Sequence, residues 1–149
     1  MKVFIGADHD GHEFKSQLAQ ALQIGGHEVV DVGNSAIDPA DDYLTFARDL
    51  VTQFQTAGDP AARGILISGD GQGMSIAANR FKGIRAALCW SRYTAESARS
   101  QEDCNVLCLS SRYLSLEEAG SVMATFLATP FTGETNASQR LQQFDQLGG

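Results

Sequence analysis

The stretch LISGDGQGMSIAAN, Leu66–Asn79, decides how the chain is read. It begins as an apolar run and ends as a run of helix formers. Between them Gly69, Gly71 and Gly73 stand at alternate positions. A buried strand, a glycine turn and a helix in direct succession form the first half of a strand–helix–strand unit. The alternation continues outward on both sides.

Toward the amino end, Gly64–Ser68 reads as a strand and Tyr43–Phe54 as a helix with Phe46, Ala47, Leu50, Val51 and Phe54 on one face. Glu28–Val32 is a strand, Glu13–Ile24 a helix stopped by Gly25 and Gly26, and Lys2–Ala7 a strand. Toward the carboxyl end, Met74–Phe81 is a helix, Ile84–Cys89 a strand, Tyr93–Ser100 a helix and Asn105–Leu109 a strand. Ser115–Leu127 is a helix opened by Ser-Leu-Glu-Glu, a capping box between Ser115 and Glu118. A final helix is expected at Ala137–Phe144. The strands are short and apolar nearly throughout, as when helices cover both faces of a sheet. The expectation is an α/β fold: a Rossmann-like three-layer αβα sandwich on a five-stranded parallel sheet, one domain over residues 1–149. Ligands of such sheets sit beyond the carboxyl ends of the strands, where strand order reverses. The polar loops at residues 8–11 and 68–75 both leave a strand's carboxyl end, so they can line one pocket.

Formal charge is −7, from 11 Lys and Arg against 18 Asp and Glu. That balance excludes nonspecific binding to nucleic acid or to an anionic membrane surface as the chain's business. The opening MKVFIGADHDG is broken by Asp8 and does not read as a signal peptide, and no apolar run has the length of a membrane span. A cytoplasmic protein is expected. Cys89, Cys104 and Cys108 form neither a disulfide framework nor a metal pair and read as small buried hydrophobes.

The glycine loop does not match a dinucleotide fingerprint, which is GxGxxG after the first strand, and it lacks the GK[ST] of a P-loop. Its glycines let backbone amides point inward and the following helix adds a positive end, so a phosphate, a carboxylate or an enediolate oxygen could be held there. The plainer alternative is a tight turn and nothing more.

The chain resembles the ribose-5-phosphate isomerase B / galactose-6-phosphate isomerase family over nearly its whole length. GADHDGHEFK, GHEVVDVG, DDYL, GILISGDGQGMSIAANRFKGIRAALC and NVLCLSSR carry the resemblance. It implies interconversion of aldose and ketose sugar phosphates through an enediolate. It implies no metal and no organic cofactor, and a homodimer or homotetramer whose pockets are each lined by two subunits.

The catalytic positions depart from the family pattern. The family's cysteine base falls on Ser68, whose hydroxyl needs a partner base. The family's threonine two residues on falls on Asp70, a candidate base that doubles as an ordinary turn residue. Some relatives carry a glutamate where Met74 stands; Met74 and Ile76 are read as packing residues. The family's ring-opening histidine falls on Gln101, and the asparagine that follows it falls on Glu102. Gln101 can bond a hydroxyl, and Glu102 can move a proton if it faces inward; both otherwise read as a solvated helix end. Ser68, Asp70 and Glu102 are therefore the candidate catalytic residues.

The phosphate grip is also thinned. Where the family has a C-terminal pair of arginines, this chain has Thr135, Asn136, Ser138 and Gln139, with Arg140 one or two places away. Arg112 and His9 keep their family positions. The expected ligand contacts are Asp8, His9, Tyr43, Gly69, Gly71, Gly73, Ser75, Gln101, Arg112 and Arg140. His12 and His27 read as surface or turn residues and Trp90 as packing. A phosphate dianion wants several charge-assisted donors, so a neutral sugar, a sugar acid or a differently sized phosphate fits no worse. Two functions follow: an isomerase with altered catalytic groups acting on a sugar or sugar phosphate, or a catalytically inactive sugar-binding or regulatory paralogue, including a partner subunit of an active isomerase. Nucleotide binding is the weakest reading.

Overall fold

The computed structural model describes residues 1–147. The strands are β1 (Lys2–Ala7), β2 (Glu28–Asp31), β3 (Arg63–Ser68), β4 (Ala86–Leu88) and β5 (Val106–Ser110). The helices are α1 (His12–Ile24), α2 (Tyr43–Ala57), α3 (Gln72–Ala78), α4 (Arg92–Ser100), α5 (Leu116–Ala128) and α6 (Thr135–Phe144). All four strand pairings are parallel, and the order is β2-β1-β3-β5-β4. The expected three-layer sandwich is what the chain forms.

Strand side chains alternate between the two faces, and each set finds its own helices. Val3, Ile5, Ile65, Ile67, Leu107 and Leu109 pack with Leu18 and Leu22 of α1, Ala95 of α4 and Val122 and Phe126 of α5. Phe4, Leu66, Val106 and Cys108 pack with Phe46, Leu50 and Val51 of α2 and with Met74 and Ala78 of α3. Helix starts follow their polar residues: Asp42 accepts from the Leu44 amide, and capping boxes open α4 at Ser91 and Thr94 and α5 at Ser115 and Glu118.

Boundaries differ in two instructive places. β4 keeps only three of the six residues expected, because it is an edge strand with β5 as its one neighbour. α3 starts at Gln72 rather than Met74, because Gly71, at φ 76°, turns the chain into the helix early. Ile76, read as packing, is 67% exposed, and Trp90 is 68% exposed, so neither belongs to the core. Met74 is wholly buried, and the three free cysteines are buried too. Among the described residues no helix is long and apolar enough to cross a membrane.

The topology sets the position of the site. From β1 the chain steps to β2 on one side, then crosses by α2 to β3 on the other. Strand order therefore reverses between β1 and β3, and the first turn and the glycine loop leave these two strands at the same rim.

Candidate active site

The first turn is laid against the end of β3. The Asp8 amide donates to the Ile67 carbonyl at 3.3 Å, and the Asp8 carboxylate Oδ1 accepts from the Gly11 amide at 3.1 Å. A Cβ on Gly11 would lie 2.5 Å from the Ile67 oxygen, so no side chain fits there. Asp8 is buried at this junction. Burial pushes its carboxyl above the ordinary carboxylate range; the Gly11 amide opposes that, and the neighbouring Asp10 charge adds to it.

The glycine loop uses its own side chains to hold its shape. Ser68 Oγ accepts from the Gly71 amide at 3.1 Å, and Asp70 Oδ1 accepts from the Gln72 amide at 3.0 Å. Two loop amides, that of Gly71 expected to serve a ligand and that of Gln72 beside it, are thus committed inside the loop. The end of β5 clasps the other side: Ser110 Oγ donates to the Gly69 carbonyl at 2.6 Å, and the Arg112 amide donates to it at 3.0 Å. Tyr43, at the start of α2, lays its ring across Gly73, where a Cβ would come within 2.5 Å of the ring. Ser75 lies in α3 with its hydroxyl toward the Cys108 thiol.

Charged groups meet above this framework. Arg112 Nη2 donates to Asp10 Oδ2 at 2.6 Å. Asp41 Oδ1 accepts from the His9 amide at 3.1 Å and from His9 Nδ1 at 2.7 Å. The Asp41 bond holds the His9 imidazole pKa above its usual value. Neither Asp10 nor Asp41 is marked out by the sequence; Asp10 directly follows His9, and only the fold shows that it reaches across to Arg112. Lys15 is a further residue that sequence reasoning missed. Its stem is buried and its Nζ donates to Asp31 Oδ1 at 2.9 Å and the Asn34 carbonyl at 2.7 Å, which ties α1 to the loop leading toward Asp41.

One rim of one chain thus carries Asp8, His9, Ser68, Gly69, Asp70, Gly71, Gly73, Tyr43, Ser75 and Arg112. Gln101 and Glu102 are elsewhere. They precede β5, at the amino ends of the strands, and Glu102 helps line a cavity of about 730 Å³ with Arg80, Lys82, Arg85 and Phe144. The loop is held by Asp103, whose carboxylate accepts from Arg99 Nη1 at 2.7 Å and from Arg85 Nη2 at 3.0 Å. Arg99 Nη1 also donates to the Cys104 carbonyl at 2.6 Å, and its guanidinium lies 5.7 Å from the Phe126 ring centroid. Arg140 is exposed on α6, whose end borders the same cavity. Within one chain these three residues do not face the glycine loop. Among the described residues no cluster of three His, Cys, Asp or Glu side chains could hold a metal ion.

Residues 3–144 match the family described as Ribose/Galactose Isomerase. The chain belongs to that family. A ribose-5-phosphate isomerase B from Mycobacterium tuberculosis is 36% identical over 141 residues, covering 95% of this chain and 86% of the relative. A probable ribose-5-phosphate isomerase B from Mycoplasma pneumoniae is 42% identical over 131 residues, covering 88% of this chain and 85% of the relative. The crystal structure of ribose-5-phosphate isomerase B from Mycoplasma genitalium with bound ribulose-5-phosphate superposes with a TM-score of 0.92, at 36% identity, covering 97% of this chain and 94% of that one.

Proposed function

We propose that the chain is an aldose–ketose isomerase that acts on a sugar phosphate or related sugar through an enediolate, with a carboxylate in place of a thiol. Asp70 is the group that moves the proton between neighbouring carbons. One of its oxygens is bonded to the Gln72 amide, which fixes the side chain while the other stays available. Asp8, buried and with its pKa raised, is the second proton-holding group at the rim and a partner for sugar hydroxyls. Amides of the Gly69–Gly73 loop balance the charge that develops on the enediolate oxygen. Ser68 shapes the loop through the Gly71 amide. A second copy, in a homodimer or homotetramer of the cytoplasm, brings Gln101, Glu102 and Arg140 to the pocket.

The observation that carries this reading is the junction of the first turn with the glycine loop at the β1/β3 rim, in a chain of the ribose/galactose isomerase family. The test is incubation in deuterated water with pentoses, tetroses, hexoses and their phosphates. The expected result is deuterium at C1 or C2 of at least one. No incorporation into any of them would discard the isomerase. It would leave the second reading, a sugar-binding or regulatory paralogue or a partner subunit. That reading draws support from the same loop, whose serine and aspartate each accept an amide that holds the turn.

A further inference from the structure

The cations at the carboxyl rim are already answered by carboxylates. Arg112 is paired with Asp10 Oδ2 at 2.6 Å, and His9 with Asp41 Oδ1 at 2.7 Å. Asp10 lies between them, because its other oxygen, Oδ1, is 3.7 Å from His9 Nε2. One carboxylate therefore bonds Arg112 and stands within ion-pair distance of His9, the two cationic side chains of this rim.

The placement is built into the backbone. Ser111 Oγ donates to the Asp10 carbonyl at 2.8 Å and so ties the first turn to the end of β5. The pair lies flat on Gly69. A Cβ at that position would come 2.8 Å from Arg112 Cζ and 2.9 Å from Asp10 Oδ2. Within one chain Asp8, Asp10, Asp41 and Asp70 set four carboxyl groups against one guanidinium and one imidazole, and a second copy that brings Glu102 with Arg140 leaves that surplus unchanged. A phosphate dianion entering here meets a surplus of like charge and competes with Asp10 for Arg112, one of whose nitrogens is already bonded to that carboxylate. A sugar hydroxyl meets the opposite situation, since a carboxylate oxygen accepts its hydrogen bond readily.

We propose that this pocket selects unphosphorylated sugars over sugar phosphates, and that Asp10 is the residue that sets the preference by holding Arg112 and His9 in place of a ligand's anionic group. The proposal rests on the sugar-site reading above and is narrower than it. It concerns binding, so it does not require turnover.

Titration calorimetry with D-ribose, D-ribulose, D-erythrose and their terminal phosphates, and with inorganic phosphate, tests it. In the unaltered protein the best free sugar binds at least as tightly as its own phosphate ester. In Asp10→Asn the phosphate ester and inorganic phosphate both tighten by about tenfold or more, while the free sugar changes by about twofold or less. Adding Arg112→Met to Asp10→Asn removes the gain, which ties it to the freed guanidinium rather than to the loss of one negative charge at large. Unchanged thermal unfolding of both variants shows that the rim is intact. The proposal is overturned if the unaltered protein prefers a phosphate ester by about tenfold, if Asp10→Asn gains nothing for phosphate, or if no sugar binds. Binding of a free sugar without deuterium exchange would instead remove the isomerase while leaving the preference standing.

Discussion

Asp41 holds His9 twice through a single oxygen, accepting from the backbone amide and from ring Nδ1 at 3.1 and 2.7 Å. The arrangement requires the proton on Nδ1 and leaves Nε2 pointed toward Asp10. It also favours the imidazolium, so the His9 pKa lies above its usual value. A raised folded pKa adds stability that is fully present below the unfolded value of about 6.5 and is lost as pH rises through the folded value. Asp41→Asn should therefore lower the His9 titration midpoint in proton NMR. Its loss of stability against the unaltered protein should be larger at pH ~6 than at pH ~8.5. An unmoved His9 midpoint would show that the pair does not form in solution.

Asp70→Asn tests the proton carrier without disturbing the turn, because the amide oxygen can still accept from Gln72. Carbon–hydrogen exchange should fall on the order of 10²–10⁴-fold, with sugar affinity nearly unchanged. Deuterium incorporation at the unaltered rate would exclude Asp70 as the base.

Gly71→Ala places a side chain where φ is 76° and where Cβ would come 2.6 Å from Leu88 Cδ1 and 3.1 Å from the Leu109 carbonyl oxygen. Leu88 can yield; the backbone cannot. The cost should be roughly 1–3 kcal/mol in urea unfolding. A variant as stable as the parent would mean that the loop has another conformation open to it.

Arg99→Met removes a buried guanidinium from Asp103, Cys104 and Thr129 and leaves their oxygens short of donors. Destabilisation of about 3 kcal/mol is expected. Amide exchange should quicken across residues 101–105, which depend on that anchor. Protection there equal to the parent's would assign the anchoring to Arg85 instead.

The thiols are expected to be inert. Burial pushes Cys89 up to about 11 and Cys104 to about 12, and raises Cys108 as well. At pH ~8 a disulfide reagent should label the native protein slowly, and all three cysteines rapidly once denatured. Fast labelling of the folded protein would contradict the burial.

The layers of the fold were legible because the three central strands are apolar nearly throughout and each long helix has an apolar stripe. The order of β4 and β5 was not legible, since alternation along a chain carries no record of which strands become neighbours. Ile76 and Trp90 misled the reading for a related reason: apolar character marks a wish for burial, not the surface that supplies it. The two halves of the candidate site behaved differently. Asp8, Ser68 and Asp70 follow strands at the switch point, so position in the sequence placed them on one rim. Gln101 and Glu102 precede a strand, and direction alone sends them to the opposite end. The pairing of Asp10 with Arg112 spans 102 positions of sequence, and nothing local announces it.

The three-residue strand β4 touches the sheet only through β5, which comes later in the chain. As the polypeptide is made, β4 emerges with Asn79, at the end of α3, to bond its Ala86 backbone but with no neighbouring strand. β3 meanwhile waits with one row of amides and carbonyls open, until Ser110 has appeared and β5 can slip between them. The border of the sheet beside the glycine loop therefore closes only once β5 is complete. A chain halted before β5 would offer that ragged border to any extended neighbour, which makes premature termination in this stretch a route to aggregation rather than merely to a shorter protein.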